Sequence, residues 1–385
     1  MYLLNVLRRI KKSFSQPDDC LLRIHIHRDQ LLRNISIFKK HFPHHLLAPV
    51  LKSNAYGHGI REIGRVLNKQ KEVDYLVVDS IVEARQLRDD GVRKPILILG
   101  YVSQSATRLL AGVSNCVLAV NSIEQAFFLA RSVSFPLRVH IKVDTGMNRQ
   151  GVAVGELRQT LEVLRKHRHI KIEGMLSHLA DADNIISGAH TIGQLALWKM
   201  AVAVFRDYVP HGGVLHFAAT AGSAFSNVAY SNMIRAGIGL YGFDVTGDRR
   251  LGVKPILSFY AKVVHIKRIK AGERIGYNFT FTAAHDMMLA IIPCGYYEGI
   301  PRALSNKGVV YYHHVPLPIV GRVSMNLTVV DATMVRDRIK IEDEVEIFSA
   351  DHTRSNSITR AAELADTIPY EILARLAPGI RRVVE

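Results

Sequence analysis

The sequence predicts an α/β chain in two parts, a (β/α)8 TIM barrel followed by a C-terminal, mostly antiparallel β domain. Three observations predict it. From residue 45 to 241, short apolar runs rich in β-formers alternate with amphipathic helical stretches. Eight such runs in roughly 200 residues is the arithmetic of a closed barrel rather than an open doubly wound sheet. After residue 250 the helical rhythm stops, and the runs that follow are β-rich and broken by Gly, Pro and Asp.

Taken in order, the chain opens with MYLLNVLRRIKK, apolar first and basic second. A secretory signal has the reverse order, so this start reads as a basic N-terminal extension over residues 1–20. LLRIHIH (21–27) lies outside the barrel count and is a candidate strand of the β domain. The barrel strands are LLAPVLK (46–52), YLVVDS (75–80), PILILG (95–100), CVLAV (116–120), LRVHIKVD (137–144), IKIEGMLSH (170–178), VLHFAAT (214–220) and a last run near 234–242. Helical patterns such as VEARQLRDD, SIEQAFFLARS and GELRQTLEVLRKH fill most gaps between them. These rhythms put the barrel at 21–250 and the β domain at 251–385, with helical periodicity returning around Thr359–Arg375.

Composition excludes several classes. The 385 residues, 48% hydrophobic and 22% charged, describe two globular domains. No apolar run reaches the roughly 18 residues that span a bilayer, so no membrane partner is expected. Cys20, Cys116 and Cys294 are too widely spaced for a disulfide framework or a zinc site, so a reducing compartment, the cytoplasm, and no metal are expected. The net charge of +16 is spread along the chain without a nucleic-acid-binding motif. A basic surface that attracts small anions explains it equally well.

Barrel chemistry gathers where strands end. The first strand ends at Lys52, before S-N-A-Y-G-H-G. A lysine finishing an apolar strand is partly desolvated, which favours the neutral amine that Schiff-base chemistry needs. On position alone, a solvated strand-end lysine is the commoner case. Other ends carry Lys142, Asp144 and Arg149, then His178, Thr220, Arg235 and Gly237. Convergence of so many polar groups on one rim marks an active site without saying which.

The segment VLKSNAYGHG closely resembles the cofactor-lysine motif of alanine racemases, and IKVDTGMNR, RAGIGLYG, GERIGYNFTF, GYYEGIPR and GRVSMN follow in that family's order. The resemblance covers roughly residues 20–385. It implies pyridoxal 5′-phosphate held by Lys52, interconversion of L- and D-alanine, and D-alanine supply for peptidoglycan. It further implies a homodimer in which Tyr277 of the partner's β domain is the base on the opposite face. Racemisation needs two bases, because a proton leaves one face and returns to the other. A tyrosine hydroxyl is a poor base at neutral pH, so nearby positive charge must favour its phenolate.

By the same resemblance, Arg235 faces the pyridine nitrogen, and Tyr56, Thr220 and the backbone of Gly237 and Ile238 cradle the phosphate. Arg149 and the Met325 N–H meet the substrate carboxylate. Lys142 matches a lysine that is carbamylated in many members, His178 and His216 pack near the cofactor and Arg235, and Tyr296, Asp183, Arg302 and Arg322 line the entrance. Two departures stand out: Asn326 replaces the family's usual Asp, and APGIRRVV lacks a tyrosine that some members carry near Pro378. Asn326 keeps a serine or broad-specificity racemase open as an alternative. Rivals of other kinds are an amino-acid decarboxylase of similar architecture and a non-catalytic pyridoxal-phosphate carrier. The first lacks its Gly-rich loop and terminal cysteine context here, and the second needs no Tyr277.

Overall fold

The computed structural model describes residues 20–182, 188–210, 212–217, 219–220, 230–244 and 251–385. The chain divides into two compact units. One is His27–Ile256 with Val384–Glu385, and the other is the segment ending at Ile26 with Leu257–Val383.

In the first unit, eight parallel strands pair in chain order and the last returns to the first. Leu46–Leu47 reaches Leu76–Val78 through a bridge between Val50 and Val77. Then come Ile96–Ile98, Cys116–Val120, Leu137–Asp144, Ile170–Leu176 and Val214–His216. A bridge from Ala219 to Arg235 leads to Met233–Ile234, which pairs with Leu46–Leu47 and closes the barrel. Every residue of Leu76–Val78, Ile96–Ile98 and Cys116–Val120 is buried, as expected of strands covered on both faces. Helices Ile60–Asn68, Ile81–Asp89, Ile123–Ser132, Leu157–Arg165 and Ala189–Tyr208 supply the cover. The gap between Ile98 and Cys116 holds a 3-10 helix, Thr107–Gly112. Ser80 and Ser122 cap two of these helices, each accepting a backbone N–H from the first turn. Helices 60–68 and 81–89 approach closely because Gly64 has no side chain; a Cβ there would lie 2.5 Å from Leu87 Cδ2.

The second unit holds a six-stranded sheet in the order Val315–Pro318, Val309–Tyr312, Glu344–Phe348, Leu257–Lys262, Leu22–Ile26, Arg381–Val384. A three-stranded antiparallel sheet joins His265–Ile269, Met287–Ile292 and Thr328–Asp331. A short hairpin pairs Arg274–Ile275 with Phe281–Thr282, and Ile275 roots it in a cluster with Ile269, Ala283, Met287, Leu289 and Val320. Helices Ile358–Leu364 and Pro369–Ala374 complete the unit. Among the described residues, no helix is long and apolar enough to cross a membrane.

Candidate active site

Lys52 corrects one expectation. The strand predicted over 46–52 is regular only at Leu46–Leu47, and Lys52 opens a turn rather than ending a strand. Ser53, Asn54, Ala55 and Tyr56 follow it with φ of 55°, 56°, 54° and 53°, a left-handed helical turn built without glycine. Each such residue costs about 1–2 kcal/mol, so the surroundings must impose the shape. Ala55 N–H donates to the Leu51 carbonyl at 2.8 Å, and Gly59 N–H to that of Asn54 at 2.9 Å. Asn54 Oδ1 accepts from Ile60 N–H at 2.9 Å, opening the next helix. His58 Nδ1 sits 2.9 Å and 3.0 Å from the carbonyls of Tyr56 and Ala55, so it carries the proton, and its ring stacks on Tyr241. Tyr241 donates its hydroxyl to the Val50 carbonyl at 2.7 Å; burial, helped by Tyr56, raises its pKa well above the ordinary phenol value.

Arg235 organises the opposite side. It is 3% exposed and donates to the carbonyls of Ser177 and His216 and, at 2.8 Å, to His216 Nδ1. A guanidinium has only N–H groups to offer, so His216 Nδ1 accepts and its proton resides on Nε2. That nitrogen lies 2.7 Å from His140 Nδ1, so one arginine sets the tautomer of both rings. Burial pushes His140 down to about 3 and His216 well below the ordinary imidazole range. Arg235 itself is lowered by burial to about 10, still a cation at neutral pH.

His178 and Lys142 lie in the same field. Burial first, then the charges of Arg235, Arg149, Lys52 and Lys142, holds His178 at about 3. Burial, Arg149 and Arg235 lower Lys142 to about 8 against a smaller pull from Asp79, and its ammonium donates to Gln150 Oε1 at 3.1 Å. Asp144 shapes the loop that carries Arg149 by accepting N–H bonds from Gly146, Met147 and Asn148. The predicted Lys52, Lys142, Arg149, His178 and Arg235 therefore share one rim.

Thr220 Oγ1 accepts N–H bonds from Gly237 at 3.1 Å and Gly239 at 3.3 Å. A Cβ on Gly237 would lie 3.0 Å from Tyr56 Oη, and one on Gly239 only 2.3 Å from Thr220 Cγ2. Glycine alone lets two hydroxyls and a run of N–H donors around buried Ile238 converge, a donor set suited to a phosphate.

In the second unit Tyr277 projects from its hairpin, 68% exposed, after Gly276 at φ 73°. A Cβ on Gly276 would sit 3.4 Å from the backbone nitrogen of Arg322, so the hairpin passes close to that segment at the glycine. Tyr296 and Tyr297 donate their N–H groups to the carbonyls of Ser324 and Met325, both at 3.0 Å. Tyr296 and Arg302 line a cavity of about 450 Å³ with Asp366, Glu371 and Arg375. Asp183 lies outside the described residues. Sequence reasoning missed Glu83, Tyr241 and His140. Glu83 had a readable signal, the S-I-V-E capping box, whereas nothing local singles out the other two.

Comparison with known proteins agrees along the chain. The profile of the alanine racemase N-terminal domain matches residues 26–245, and that of the C-terminal domain matches residues 256–384. The alanine racemase of Leptospira interrogans (Fiocruz L1-130) is 31% identical over 97% of this chain and 98% of its own length. That of Geobacter sulfurreducens is 34% identical over 87% and 89%. Among solved structures, alanine racemase of Clostridium difficile 630 superposes with a TM-score of 0.85 at 30% identity, covering 95% of this chain and 96% of that one. Alanine racemase of Bartonella henselae, with covalently bound pyridoxal phosphate, gives 0.83 at 28%, covering 95% and 100%.

Proposed function

The chain belongs to the alanine racemase family, and from that premise we propose that it interconverts L- and D-alanine with pyridoxal 5′-phosphate, Lys52 and Tyr277 handling the α-proton on opposite faces. The observation that carries these roles is the convergence of Lys52, buried cationic Arg235 and the Thr220–Gly237 donor cradle on one barrel rim.

When bound, the cofactor delocalises negative charge from the α-carbon and so acidifies its C–H bond. The rest is work for this chain. Lys52 Nζ holds the cofactor and takes or returns the proton on one face; Tyr277 Oη does so on the other. Tyr56, Thr220 and the N–H groups of Gly237 and Ile238 bind the phosphate. Arg235 presents N–H donors to the pyridine nitrogen while keeping its own protons. Arg149 and the Met325 N–H hold the substrate carboxylate. Lys142, lowered to about 8, offers a larger share of the neutral amine that reacts with carbon dioxide, which supports its carbamylation. His178 and His216, kept neutral, add no charge beside Arg235. Tyr296, Arg302 and Arg322 line the entrance.

A homodimer supplies Tyr277 to the partner's Lys52. Exposed Tyr277, Phe279, Tyr297, Met325 and Leu327 in the second unit support such an interface, since large apolar side chains in number favour a covered face. Mixing Lys52→Ala with Tyr277→Ala subunits then restores part of the activity; proven heterodimers with none would argue against shared sites. Three widely spaced cysteines fit a reducing compartment, and we place the enzyme in the cytoplasm, supplying D-alanine for peptidoglycan. Asn326 favours a second reading, a broader substrate range that includes serine.

The deciding experiment is L-alanine with enzyme and cofactor in D₂O. Loss of the α-proton signal with appearance of D-alanine, both abolished by Lys52→Ala, is the expected result. Turnover of serine alone would move the substrate, and no exchange on any amino acid would overturn the racemase reading.

A further inference from the structure

We propose that Glu83 is a positioning residue for Lys52, its carboxylate clamping the left-handed turn that aims the lysine amine. The inference rests on the reading of Lys52 as the cofactor lysine. Glu83 stands in the first turn of helix Ile81–Asp89, in a capping box with Ser80. An ordinary box sends the glutamate back only to the cap residue's N–H. Here Oε2 accepts from both Asp79 and Ser80, at 2.9 Å and 3.1 Å, while Oε1 crosses to the preceding strand–helix loop and accepts from Ser53 N–H at 2.7 Å.

Ser53 follows Lys52 and is the first of the four left-handed residues. Its N–H opens that turn, so the carboxylate fixes the strained segment where it leaves the lysine. The same side chain holds Asp79, whose charge acts on Lys142. One carboxylate thus ties the ends of the first two barrel strands, already joined by Leu51 N–H to the Val77 carbonyl at 2.7 Å. Glutamine keeps the shape but has one acceptor oxygen and an NH₂ group that faces an N–H. Glu83→Gln therefore releases either Ser53 or the Asp79–Ser80 pair. Ser80→Ala is the matched control: it removes the hydroxyl that accepts Glu83 N–H at 3.2 Å and leaves the carboxylate on Ser53.

The test uses full-length protein freed of cofactor. Pyridoxal phosphate is added, the link to Lys52 is trapped with borohydride, and the rate is followed from pH 6 to pH 10, alongside amide exchange across residues 51–59 and thermal stability. Glu83→Gln is expected to slow Lys52 labelling roughly tenfold to a hundredfold, the scale of a misplaced reacting group. It should shift the pH profile and speed exchange at Ser53, while Ser80→Ala changes only thermal stability. Should Glu83→Gln not fold, Glu83→Asp, which keeps the charge but shortens the reach, takes its place with the same expectation. Equal labelling in wild type and the Glu83 variant, or equal slowing by Ser80→Ala, would overturn the clamp. Wild-type protein that never labels at Lys52 would instead overturn the racemase reading, with the exchange at Ser53 still deciding the clamp.

Discussion

Asn326 Nδ2 donates to Glu298 Oε1 at 2.7 Å, and the other Glu298 oxygen accepts Gly295 N–H at 2.8 Å. The pair braces the turn of Tyr296 against the segment of Met325, whose N–H is proposed to hold the substrate carboxylate. With the family's usual Asp at 326, two carboxylates would meet there and share one proton. Cys294 also faces Glu298, and burial raises its thiol well above the ordinary value, so it stays neutral. Asn326→Asp therefore makes the brace pH-sensitive: as pH rises and the shared proton leaves, the carboxylates repel. The expected loss at pH 8 is about 1.5–3 kcal/mol, the worth of a hydrogen bond to a charged group, with a rising KM for alanine and little change in kcat. Adding Glu298→Gln restores an amide–acid pair and should remove the pH dependence. Thermal unfolding and KM at pH 6 and pH 8 check this, and a pH-independent Asn326→Asp variant would sink it. At this scale the sequence was legible where a motif named a residue type, as with Lys52, Thr220 or Arg235. The left-handed turn was not legible, because only the Asn of Ser-Asn-Ala-Tyr leans towards positive φ and the rest is imposed by contacts from Glu83, Leu51 and Asn54.

Among elements, strands Leu137–Asp144 and Val214–His216 carry the His140–His216 chain that ends on Arg235. Gly174 on the strand between them makes room, since a Cβ there would lie 2.8 Å from the His140 ring. His140 is lowered to about 3 by burial, whereas an unfolded histidine titrates near pH 6.5. Between those values the unfolded chain binds a proton that the native barrel refuses. Native stability is therefore complete above about pH 6.5 and is lost as pH falls, at about 1.4 kcal/mol per pH unit for each such imidazole. His140→Gln keeps an acceptor for His216 Nε2 and removes one titration, so urea denaturation at pH 6, 5 and 4 should show a slope shallower by about that amount. An unchanged slope would mean that His140 is protonated in the native state. The eight strand runs were legible because buried parallel strands are written as nearly continuous Val, Ile and Leu. Their regular lengths were not, since sequence does not say where pairing yields to bridges such as Val50–Val77.

For the whole molecule, the telling feature is that the second unit is discontinuous. LLRIHIH stood outside the barrel count as a candidate strand of the β domain, and its alternate residues Ile24 and Ile26 are fully buried. What alternation does not carry is the partner. Leu22–Ile26 pairs antiparallel with Leu257–Lys262 in five registers and neighbours Arg381–Val384 on its other side. A fragment of residues 257–385 lacks this strand, so Leu257–Lys262 becomes an open edge and Arg381–Val384 loses its neighbour. The missing burial of two isoleucines is worth about 3–6 kcal/mol, comparable to the whole stability of a small domain, about 5–15 kcal/mol. The fragment alone should therefore unfold non-cooperatively or aggregate. Fusing residues 20–27 to it through a flexible linker should restore a sharp thermal transition, and the same fusion with Ile24→Asp should not. A sharp transition in the bare fragment would show that the unit is complete without its N-terminal strand.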